Sequence, residues 1–130
     1  MTDAGGLSDL QLAVMSVLWR SREATAAEVH AALADRDLAI TTVSTILSRL
    51  EKRRVVAHRS EGRLYIYRAA VSEPEVRHSM LGSLIDSLFS GDPAEVVSQL
   101  LARRDLSPGD LDRMRALIDE SQKRGGKRNA

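Results

Sequence analysis

The sequence contains no cysteine, which removes disulfides, thiolate metal clusters and cysteine nucleophiles from consideration. Aromatic residues make up only 3% of the 130 residues, so a core must be built from Leu, Val, Ile and Ala. That composition favours helices packed on helices over a β-sandwich. No apolar run approaches the roughly 20 residues that cross a bilayer, so no membrane partner is expected. The first ten residues carry neither a basic stretch nor a long apolar one. No secretory signal is read there, and a cytoplasmic protein is expected. His30, His58 and His78 fall on different predicted elements without a ligand pair at metal spacing, so neither metal nor cofactor is expected. No Gly-rich phosphate loop, nucleophile elbow or zincin pattern occurs, which leaves no case for an enzyme.

What is present begins with an uneven charge. The net charge is +1, yet seven bases (Arg49, Lys52, Arg53, Arg54, Arg59, Arg63 and Arg68) stand against two acids (Glu51, Glu61) between Arg49 and Arg68. From Val71 onward ten acidic residues offset nine basic ones. A local basic stripe on a near-neutral chain suits phosphate contact, and it equally suits a solvated charged face.

Helix signals are strong along the first half. Ser8 and Gln11 form a capping box, with Leu7 and Leu12 placed as a hydrophobic staple, ahead of an apolar pattern that runs to Trp19. Thr25 and Glu28 open a second helix to about Ala34, and Asp35-Arg36-Asp37 breaks it. A third helix is expected from Ile40 to Arg53, with Val43, Ile46, Leu47 and Leu50 as its apolar stripe. Its opposite face holds Thr41, Thr42, Ser44, Thr45, Ser48, Arg49 and Lys52. Short hydroxyls are indifferent helix formers, and ordinary exposed faces favour Glu and Lys. A hydroxyl face ending in bases suits close approach to a polar groove, although an exposed helix of unusual composition has the same pattern.

Two β-prone runs, Val55 to His58 and Leu64 to Tyr67, flank Ser60-Glu61-Gly62-Arg63 and predict a hairpin with Arg59 and Arg63 beside its tip. His58 faces the same way as Val56 and is open to phosphate contact. Three short helices followed by a basic-tipped hairpin describe a winged helix.

Beyond Val71 the chain reads as helical. Ser72 with Glu75 caps one helix, Asp92-Pro93-Ala94-Glu95 opens another with a full box, and Ser107-Pro108-Gly109-Asp110 opens the last. Their stripes include Leu81, Leu84, Ile85 and Leu88, then Val97, Leu100 and Leu101, then Leu111, Met114, Leu117 and Ile118. Such a layer is too thin to bury both faces, so these residues are expected at a homodimer contact; a tail folded back on the first domain is the other solution. The expected fold class is mainly α with a small β-wing, a winged helix-turn-helix plus a C-terminal helical dimerisation region. Residues 1–71 would form the winged domain, 72–121 the dimerisation helices, and 122–130 a mobile basic tail.

These stretches together resemble the penicillinase-repressor family of the BlaI/MecI type. The resemblance is carried by Leu7 to Trp19, by Thr41-Thr42-Val43-Ser44-Thr45-Ile46-Leu47-Ser48-Arg49-Leu50, by Arg63 to Tyr67, and by Asp105-Leu106-Ser107 through Leu117-Ile118. It implies a homodimeric repressor on a double-stranded, palindromic DNA operator, with the third helix of each protomer in the major groove. Thr41, Thr42, Ser44, Thr45 and Ser48 would lie against the groove, Arg49 and Lys52 would grip phosphates, and Arg63 would reach the backbone or minor groove from the wing.

Three departures from the family pattern stand out. Ser44 replaces a base found in some relatives, which implies a different operator. Arg54 replaces a common glycine, which implies a differently shaped turn into the wing. The protease of a sensor system that inactivates some relatives would cut near Gln99-Leu100, but their Asn-Phe pair is absent here. The paired cysteines of copper-responsive relatives are missing as well. Two alternatives stay open: a winged-helix protein–protein module that never meets DNA, and a DNA-binding protein with an added small-molecule effector pocket.

Overall fold

The computed structural model describes residues 6–128. Ser8 caps the first helix, α1 (Asp9–Ser21): its hydroxyl accepts from the Gln11 amide, and the Gln11 side chain accepts from the Ser8 amide. Thr25 and Glu28 exchange the same pair of bonds at the start of α2 (Ala26–Ala32). These boxes satisfy amides that every helix start leaves orphaned. Helix α2 ends two residues short of the expected Ala34. A single 3-10 turn (Ala34–Arg36) and a left-handed Asp37 (φ 52°) then lead to Leu38. His30 Nε2 donates to the Leu38 carbonyl at 2.6 Å and fastens this turn between α2 and α3 (Ile40–Lys52).

Helix α3 ends one residue before the expected Arg53. The Arg54 amide bonds the Glu51 carbonyl and the Val55 amide bonds the Leu50 carbonyl, with Arg54 at φ 63°. This is the Schellman closure, whose left-handed position usually holds glycine. The expectation of an altered turn is therefore not met, because Arg54 adopts the conformation that a glycine would. The wing follows as an antiparallel pair, β1 (Val56–Glu61) and β2 (Leu64–Ala69), with Val56 opposite Ala69 and Glu61 opposite Leu64. Ser60 and Glu61 belong to the strand, so the turn is only Gly62-Arg63, with Gly62 at φ 61° in the position a II′ turn reserves for glycine. Ala24 forms an isolated bridge to Tyr67.

One apolar cluster holds these elements together. Val14, Met15, Val17 and Leu18 of α1 meet Val29 of α2, Val43, Leu47 and Leu50 of α3, and Val55, Val56 and Tyr67 at the wing base. Val71 and Val76 are buried in the same cluster and Met80 packs against it, so much of α4 (Glu73–Leu88) belongs with the winged unit. The chain accordingly divides between Ser87 and Leu88, later than the boundary after Val71 read from the sequence.

The second unit holds the end of α4, α5 (Pro93–Ala102) and α6 (Pro108–Arg128). Asp92 caps α5 through Ala94, but Glu95 does not close the box. The Asp92 amide goes to the Phe89 carbonyl instead, and Glu95 accepts from Gln99. Ser107 and Asp110 form a reciprocal box on α6. Helix α6 continues to Arg128 through the segment from Gln122 that was expected as a tail. Gln122, Lys123 and Arg124 are good helix formers that carry it into the two glycines. Asn129 and Ala130 lie outside the described residues.

Candidate nucleic-acid interface

The amphipathic division of α3 builds the site. Val43, Ile46, Leu47 and Leu50 are buried against α1 and α2, which turns Thr41, Thr42, Thr45, Ser48, Arg49 and Lys52 outward as exposed residues; Ser44 is half-buried at the edge. Thr45 donates its hydroxyl to the Thr41 carbonyl at 2.9 Å, which holds its side chain in one rotamer on this face. The N-cap, Ala39, has no side chain able to satisfy the first-turn amides. Ile40 opens the helix 43% exposed, one turn before Ser44. It extends the face with an apolar group that sequence reasoning passed over; a large aliphatic residue just before the hydroxyl run was the available signal.

Arg49, Lys52 and Arg63 are exposed and form no ion pair among the described residues. Arg63 occupies the second position of the wing turn. Arg59, which the sequence placed beside the tip as a further free charge, is engaged. Its guanidinium donates to Glu23 at 2.8 Å and to Glu61 at 2.9 Å, and these carboxylates raise its pKa further. Glu23 lies 36 positions earlier in the chain, so no local pattern reveals the pairing.

His58 is half-buried, with its ring engaged at Nδ1 and on one face. Its Nδ1 donates to the Glu51 carboxylate at 2.6 and 2.8 Å, and its ring stacks on Tyr65 with centroids 4.1 Å apart. Tyr67 meets Tyr65 edge-on, and burial, followed by the nearby Glu51 charge, pushes its phenol above the ordinary range. The last turn of α3 is thus tied to the wing, so helix and hairpin hold a fixed spacing. Among the described residues no group of three His, Asp or Glu side chains could hold a metal, and no helix is long and apolar enough to cross a membrane.

The residues assigned to dimerisation separate into two sets. Leu81 and Leu84 are exposed on α4 with Ile85 half-buried, all in the first unit. Leu88, Val97, Leu100, Leu101, Leu117 and Ile118 are exposed in the second unit, where Leu111 and Met114 are half-buried. No described residue from Leu88 onward is buried. The Gln99-Leu100 bond lies inside α5, in helical backbone.

Comparison with known proteins agrees with this geometry. The penicillinase repressor of Bacillus licheniformis is 25% identical over 119 residues, covering 91% of this chain and 93% of that protein. The transcriptional regulator BlaI of Mycobacterium tuberculosis is 39% identical over 88 residues, 66% of this chain and 62% of that one. The solution structure of the DNA-binding domain of the repressor BlaI superposes with a TM-score of 0.51 at 31% identity, over 56% of this chain and 90% of that domain. The family model described as penicillinase repressor matches residues 7–120. A winged helix with an outward hydroxyl-and-base face, joined to helices with unburied apolar stripes, is the fold of a DNA-binding transcriptional regulator, and the chain belongs to the penicillinase repressor family.

Proposed function

We propose that the chain is a cytoplasmic homodimeric repressor that covers a palindromic operator, each protomer laying α3 in the major groove and touching the backbone or minor groove with its wing. One observation carries this reading above the rest: the exposed face of α3 runs from Ile40 and the threonines to Arg49 and Lys52, and its cations have no acidic partner among the described residues. Free cations on one face release counterions when they meet phosphates, which gives affinity; the hydroxyls, methyls and Ile40 would read base edges. The clamp of Glu51 on His58 sets the distance between groove-reading helix and wing. Arg59 contributes less than its position suggests, since it already holds two carboxylates.

Dimerisation through α4, α5 and α6 is supported by the absence of any buried residue among the described ones from Leu88 onward. A unit of about 40 residues without a core of its own needs a partner surface, and a second copy of the same apolar stripes supplies one. Two-fold symmetry would then match an inverted repeat, with half-sites about one helical turn apart or a multiple of it. Inactivation by cleavage near Gln99-Leu100 would require α5 to unwind first.

Fluorescence anisotropy on the upstream region of its own gene, against scrambled DNA across a salt series, tests the proposal. Selectivity of about 10³ or more near physiological salt is the expected result. No binding even at low salt would overturn it in favour of a protein–protein module.

A further inference from the structure

The structure assigns a second site, away from the α3 face: a groove between the end of α1 and the exit of β2 that takes a small organic anion with an apolar body. Leu18, Trp19, Ala69 and Val71 line it, together with Arg22 and Arg68, as a shallow depression open to solvent with room for about 390 Å³. Trp19 is half-buried and its indole N–H donates to the Val71 carbonyl at 2.9 Å, so the ring is held as a fixed wall. Arg22 and Arg68 are exposed and form no ion pair among the described residues. The carboxylate adjacent to Arg22 in sequence, Glu23, is held by Arg59.

Arg22 and Arg68 bring two positive charges to one depression, which favours an anion there. Guanidinium groups present planar donor pairs that match a carboxylate or a phosphate head. The backbone favours the same reading. Arg22 closes α1 at φ 67° and ψ −50°, a strained γ-turn region for a residue with a side chain, although a glycine there would relieve it. The half-buried Trp19 and Ala69 supply the apolar surface for the rest of the ligand, backed by the buried Leu18 and Val71. The groove adjoins Ser72, the cap of α4, so occupancy would bear on the junction between the winged helix and α4.

Trp19 is the single tryptophan, so its fluorescence reports on the groove directly and without DNA. Benzoate is the probe, with benzyl alcohol as its uncharged counterpart and acetate as the head without the body. The expected result is a saturable change with benzoate and at least tenfold weaker responses to the other two. Arg22→Gly keeps the backbone turn while removing the cation, and Arg68→Gln keeps a polar side chain; each should weaken benzoate about tenfold. The inference is overturned if benzoate gives no saturable change. It is equally overturned if benzyl alcohol or acetate matches benzoate, or if both variants respond as the parent does.

Discussion

Arg54 holds φ at 63° in the left-handed position that closes α3, with the fully buried Leu50 and Val55 on either side of the closure. A side chain in that region costs roughly 1–2 kcal/mol, whereas glycine avoids the clash but loses about 0.5–1 kcal/mol of chain entropy. Arg54→Gly should therefore stabilise the protein by about 0.5–1 kcal/mol, seen as a higher urea midpoint at unchanged slope. Arg54→Ala keeps the strain and should gain nothing. A loss of stability in the glycine variant would mean that contacts of the arginine side chain outweigh the strain. Ile40 carries a different kind of consequence. Ile40 leaves 43% of its surface open beside the outward face of α3, and a thymine methyl is the apolar feature of the major groove. Burying one methyl is worth about 0.8 kcal/mol, close to fourfold in affinity. Replacing thymine by uracil at the contacted base should cost the parent about that much, and Ile40→Ser should erase the difference. Binding that ignores the methyl at every position would remove Ile40 from the reading face while leaving the operator proposal intact.

Under the proposed docking, α3 and the wing would divide their labour by residue type. Arg49→Ala and Arg63→Ala should weaken binding to all sequences and lower the salt slope by roughly 0.9 each, the signature of a lost phosphate contact. Thr42→Ala or Ser44→Ala should shift base preference and leave the slope alone. Titrating each variant across salt on specific and scrambled DNA separates the two effects; arginine variants with the parent's slope would refute the docking. The wing base makes a prediction of its own through Tyr67. Burial raises its pKa, so the folded state prefers the neutral phenol. A raised folded value means that this contribution is complete below the ordinary phenol pKa of about 10 and fades as pH climbs through the higher folded value. Tyr67→Phe should flatten the alkaline limb of a urea-midpoint profile, and an unchanged limb would exclude Tyr67 as its cause. How much of these elements the sequence discloses depends on the range of the interaction. The capping boxes at Ser8, Thr25, Ser72 and Ser107 close within three residues and are readable. So are the α3 stripe, and with it the outward placement of Thr41 to Lys52. The Glu23–Arg59 pair, the Glu51–His58 clamp and the Ala24–Tyr67 bridge join separate elements, and only the packed fold brings them together. Glu95 illustrates a subtler limit, because the box spacing is present but the Asp92 amide already has a partner in Phe89.

For the whole molecule, the decisive quantity is apolar surface without a cover. Leu88 is 68% exposed, Leu117 66% and Ile118 54%, in a unit that buries none of its described residues. Each such side chain gains about 1.5–3 kcal/mol when fully buried, which a self-complementary contact would collect from both copies at once. Charges placed there keep their hydration only if the contact stays open, so Leu117→Asp with Ile118→Asp should give a monomer by sedimentation equilibrium. The winged unit keeps its own core in that variant, since Leu47, Leu50, Val55 and Val76 lie elsewhere. Half-site DNA should accordingly bind as before. The full operator should lose the linkage between half-sites, a fall of about 10²–10⁴ in affinity. A variant that remains dimeric and binds the full operator like the parent would place the dimer contact outside α6 and return α4 and α5 as its seat. A variant that is monomeric yet retains full affinity would show that each protomer reads its half-site independently, and repression would then rest on two separate occupancies.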